Sequence, residues 1–155
     1  MKIQKTCAFC VLLLLCMFHA SAQEEKELAR PYDFNKPQLF KELPERINVK
    51  LHEFDGVFEQ ELGKPVTLPF SPGFTFHGTV VSKAEDPSAN VKSIVIKSAN
   101  KSGASLALSR FINEDNTISY RGRIMSFKHG DAYEIVLEKG AYYLLKKGLY
   151  DLYEE

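Results

Sequence analysis

Tryptophan is absent from this 155-residue chain, and cysteine occurs only at Cys7, Cys10 and Cys16. The first 22 residues hold no Asp or Glu, and from residue 88 to the end there is no proline. No run of apolar residues reaches the roughly 20 needed for a helix to cross a bilayer. Nor is there an excess of either charge, because 20 Lys and Arg balance 20 Asp and Glu. That balance removes, as a whole-chain property, the electrostatic case for a nucleic-acid or polyanion binder.

The three cysteines lie within MKIQKTCAFCVLLLLCMFHASA, residues 1–22. Lys2 and Lys5 precede an apolar stretch, Cys7 to Phe18, followed by the small residues Ala20, Ser21 and Ala22. This order is that of a secretory signal peptide. Leu15 before Cys16 is too large for lipoprotein processing, and Met17 and Phe18 continue the apolar run. Cleavage after Ala22 leaves 133 residues with 18 basic and 20 acidic groups. Such a mature chain has no disulfide, thiol nucleophile, thiolate metal site or spanning helix. The expectation is therefore an exported protein, periplasmic or extracellular.

All seven prolines fall between Pro31 and Pro87, and all nine glycines from Gly56 onward. Residues 23–36 are polar and read as a flexible lead-in, leaving 37–155 as a single β-rich globular domain. Asn35 can cap a short helix carrying Leu39, Phe40, Leu43 and Ile47, limited by Pro44. Segment 51–62 fits a helical stripe and a strand face equally well, and 63–73 reads as a proline-bearing connection. Thereafter the apolar period becomes two. Candidate strands cover 74–81, 91–98, 104–112, 117–128, 132–138 and 141–147, separated by short polar turns. In the fourth of these, Arg121 and Arg123 share the face opposite Tyr120 and Ile124. The fold class is mainly β: an antiparallel meander of about six strands, as a small barrel or bent sheet, with a short N-terminal helix. The alternative is an α+β arrangement with that helix covering the sheet. The tail, 148–155, fits one helical turn docking Leu149 and Leu152.

Catalytic motifs do not converge. His52, His77 and His129 lack metal-ligand spacing, and no H-E-x-x-H, G-x-S-x-G or phosphate-binding glycine loop occurs. Ser98-Ala99-Asn100-Lys101 matches S-x-x-K, but its residue types are those of a hairpin turn. No cofactor is implied. What stands out is charge placement: residues 91–130 carry seven basic groups against Glu114 and Asp115. Residues 23–62 carry ten acidic groups against six basic. An anion-facing surface would use Arg121 and Arg123, with Lys92 and His77 brought near by turns, beside an exposed tyrosine such as Tyr142. The function expected is non-catalytic binding of an envelope or secreted protein, or of an anionic ligand. Two alternatives are a carrier whose barrel pocket is lined by Phe74, Phe76, Leu106, Leu108 and Tyr133, and an inhibitor or chaperone-like domain for a secreted enzyme.

Overall fold

The computed structural model describes residues 33–50, 54 and 56–153. The expected signal, most of the lead-in and His52 lie outside them. Eight antiparallel strands form one sheet: β1 (Arg46–Val49), β2 (Pro65–Ser71), β3 (Phe74–Asp86), β4 (Val91–Ser98), β5 (Ser105–Ile112), β6 (Ile118–Met125), β7 (Asp131–Glu138) and β8 (Ala141–Gly148). From β2 to β8 each strand pairs with the next along the chain, and β1 returns to pair with β8. The edges β1 and β2 approach each other, so the sheet is a nearly closed barrel.

The six expected strands are β3 to β8. The two extra ones come from the proline-bearing part of the chain. No α-helix forms at 37–47; instead Arg46–Val49 makes a strand that buries Ile47 and Val49 against the barrel. Four residues are too few for alternation to outweigh the Leu43–Ile47 spacing, which mimics a helical face. Strand β2 was obscured by Pro65 and Pro69. As an edge strand it needs ladder donors on one side only, so both prolines are accommodated without losing a bond to β3. Strand β3 also runs past its expected end. Its register with β4 shifts between Val80 and Ser82, a bulge that exposes Val81 and brings Lys83 opposite Ile94.

Inward-facing residues repeat every second position, as the sequence pattern requires: Val66, Leu68 and Phe70 on β2; Phe74, Phe76 and Val80 on β3; Ile94 and Ile96 on β4; Leu106 and Leu108 on β5. Burying each large apolar side chain contributes roughly 1.5–3 kcal/mol. Rings fill the interior. Phe40 packs 6.0 Å from Phe74 and 5.0 Å from Tyr133, and Phe54 lies 5.2 Å from Tyr120. Segment 33–44 is held across this end by the buried Asp131, whose oxygens accept the N–H groups of Leu39 at 2.6 Å and Phe40 at 2.8 Å. The Tyr133 hydroxyl donates to the carbonyl of Pro44. Burial, aided by the charges of Glu45 and Asp131, holds its phenol well above the ordinary value. Lys139 and Gly140 both take positive φ, the geometry of the tight type I′ turn that joins β7 to β8. A 3-10 helix, Tyr150–Tyr153, closes the chain with Leu149 and Leu152 buried.

Candidate binding surface

The β6–β7 ladder is shorter than its strands. It pairs Met125 with Ala132, Ile124 with Tyr133, Arg123 with Glu134 and Gly122 with Ile135, then stops. Residues Ile118 to Arg121 on β6 and Val136 to Glu138 on β7 continue without pairing to each other. Tyr142, on β8, bridges the opening: its hydroxyl accepts the backbone N–H of Tyr120 at 3.0 Å. A phenol therefore occupies a place where a strand carbonyl would serve.

On the sheet surface this opening is a depression of about 820 Å³, with Arg121, Arg123, Glu134, Leu137, Tyr142 and Lys147 among its lining residues. Leu137 is 55% exposed, although the alternation places it with the buried Tyr133 and Ile135. The cations differ in how they are matched. Arg123 donates through Nε and Nη2 to Glu134 at 3.2 and 3.1 Å, and through Nη1 to the carbonyl of Leu152. Lys147 lies 3.9 Å from the other oxygen of Glu134. Arg46 is 2.6 Å from Glu138 and stacks over Tyr143 at 3.5 Å. Arg121 is exposed over the Phe111 ring at 5.6 Å and, among the described residues, forms no ion pair. Its charge is the one in this depression that is left for an incoming anion.

Of the residues expected to form a common surface, Arg121, Arg123 and Tyr142 are brought together. Tyr142 is not the exposed tyrosine, however; its ring is buried, and Tyr143 faces outward under Arg46. The β8 register forces one of the two adjacent tyrosines inward, and pairing with Leu137 puts Tyr142 there. His77 lies apart, on the outside of β3, with Nδ1 3.0 Å from the hydroxyl of Thr67. Lys92 lies apart as well, on β4, 3.3 Å from Glu85. His129 contacts Ser126 at 2.9 Å rather than Asp131, whose carboxylate is occupied by segment 33–44. Among the described residues no three His, Cys, Asp or Glu side chains could hold a metal ion. The exposed Leu137 and the break beside it were not legible, because the bond that replaces the ladder joins residues 22 positions apart.

No protein-family profile, no curated protein and no solved structure matches the chain.

Proposed function

We propose that this chain is an exported, non-catalytic binding domain that docks an extended, acidic segment of an envelope or secreted protein at the β6–β7 opening. The single observation that carries this is the interrupted ladder beside an arginine that forms no ion pair among the described residues. Strand segments whose ladder is open on one side accept a further strand through main-chain hydrogen bonds, the β-augmentation mode of recognition. Ile118 on β6 and Leu137 on β7 border the opening, while the N–H of Tyr120 is already bonded to Tyr142. Arg121 supplies a charge for a carboxylate on that segment, and Leu137 supplies exposed apolar area. Strand β2, one of the sheet's two edges, suits this role less because Pro65 and Pro69 blunt it and because it approaches the other edge, β1. A carrier reading fares worse, since Phe74, Phe76, Leu106, Leu108 and Tyr133 are all buried against neighbouring side chains.

Selection of peptides from a random library on the purified protein tests the reading. Binders should be extended and enriched in Asp or Glu next to apolar residues. Arg121→Ala combined with Leu137→Asp should weaken them about tenfold or more, with little change in melting because both positions are exposed. Peptides that lack acidic residues, or that bind the double variant equally well, would reject the proposal.

A further inference from the structure

At the mouth of the barrel a row of side chains crosses the inner face of four strands. Glu85 on β3 stands opposite Lys92 on β4, Lys92 opposite Arg110 on β5, and Arg110 opposite Tyr120 on β6. Two residues deeper, the corresponding positions on β4 and β5 are the buried Ile94 and Leu108. Arg110 thus occupies a position that the alternation Leu106, Leu108 reserves for an apolar side chain. Its Nε is sealed from solvent and meets no acceptor. No carboxylate pairs with its guanidinium among the described residues, whereas Arg46, Lys92, Arg123 and Lys146 each have one.

The acids nearby are committed elsewhere. Glu85 lies 3.3 Å from Lys92. Asp86 accepts the N–H and hydroxyl of Ser88 at 3.0 and 2.6 Å and the N–H of Ala89 at 3.2 Å, so its charge is turned into its own loop. Arg110 borders a depression of about 170 Å³, whose other walls include Glu85, Asp86, Lys92, Pro87, Val91 and Ile112. A buried donor without an acceptor is unfavourable, and a guanidinium presents a planar fork that matches a carboxylate through two parallel hydrogen bonds.

We infer that this pocket binds a small monocarboxylate with a short aliphatic body, held by Arg110 and flanked by Lys92. The walls Pro87, Val91 and Ile112 receive the aliphatic part. The lining holds two cations, Lys92 and Arg110, and two acids, Glu85 and Asp86, so a second negative charge on the ligand is disfavoured and a monoanion suits the site better than a doubly charged phosphate. The site is separate from the peptide-docking surface, because the two depressions share no lining residue, and the two stand or fall independently.

Titration of the purified protein with sodium butyrate, followed by amide NMR shifts, tests the inference. Saturable shifts at Lys92, Arg110 and Ile112 are expected, absent with sodium chloride at equal ionic strength. Arg110→Gln should weaken butyrate binding about tenfold or more, and Arg110→Lys by a smaller factor, since an ammonium cannot form the fork. Arg121→Ala should leave it unchanged. Because Arg110 forms no ion pair among the described residues, both Arg110 variants should melt close to wild type. Butyrate binding that survives both substitutions would overturn the inference. So would chloride producing the same shifts, or inorganic phosphate at pH 7.5 binding more tightly than butyrate.

Discussion

Gly78 and Gly122 are set by the space available to a side chain rather than by φ. A Cβ on Gly78 would stand 2.5 Å from the carbonyl oxygen of Lys97 and 2.6 Å from Ile96 Cγ2, and one on Gly122 would stand 2.6 Å from the carbonyl oxygen of Ala107. Both glycines let neighbouring strands approach where the barrel curves. Gly78→Ala should therefore cost about 1–3 kcal/mol, as overpacking does, read as a lowered urea midpoint. Gly73→Ala is the control: nothing lies within 4 Å of its Cβ position and its φ is ordinary, so stability should barely change. Arg110 teaches a related lesson at the same scale. A charged residue at the next position after Leu106 and Leu108 on one strand face was visible in the sequence. Whether it met a carboxylate across the barrel was not, because that depends on four strands at once.

Among the elements, the tight turns were the most legible because their chemistry is local. Asp86 and Asp115 each fold back on the residues that follow: Asp86 onto Ser88 and Ala89, and Asp115 onto the N–H at 3.0 Å and hydroxyl at 2.6 Å of Thr117. Hydrogen bonds from Ser88 and Thr117 first of all, then from backbone N–H groups, lower the pKa values of both carboxylates. A lowered folded-state value means these contacts contribute fully above the ordinary 3.8 and are lost as pH falls through the lowered value. The amide signals of Ser88 and Thr117 should accordingly titrate with midpoints below 3.8; midpoints at or above it would show that the bonds do not persist in solution. The strands from β3 to β8 were legible for the same local reason, a period of two between polar turns. Strands β1 and β2 were not. Four residues are too short for a period to declare itself, and proline reads as a breaker until the strand is known to be an edge.

For the whole molecule, the decisive contacts tie the segment before β1 to the far end of the meander. Asp131 receives two backbone N–H groups from residues 92 and 91 positions away, and Phe40 beside them is fully buried between Phe74 and Tyr133. Asp131→Asn keeps one acceptor and turns an amide toward the other N–H. It should cost about 1.5–3 kcal/mol, the range for hydrogen bonds to a charged group, with faster hydrogen exchange at Leu39 and Phe40. A variant as stable as wild type with both amides still protected would show that the segment is held by packing alone.

Local order decides how much of this protein its sequence determines by itself. Alternating apolar residues, turn residues at short intervals and a proline-free second half determined a mainly β, antiparallel chain with a docked tail, because each signal concerns neighbours within a few positions. Closure of the sheet, the burial of Tyr142 in place of Tyr143, the break between β6 and β7, and the lack of a carboxylate partner for Arg110 among the described residues were decided by tertiary structure. Each depends on register accumulated across several strands and on contacts such as Tyr120 with Tyr142. No local period encodes those, since the same alternation fits an open sheet or a barrel, with either end of the chain supplying the last strand.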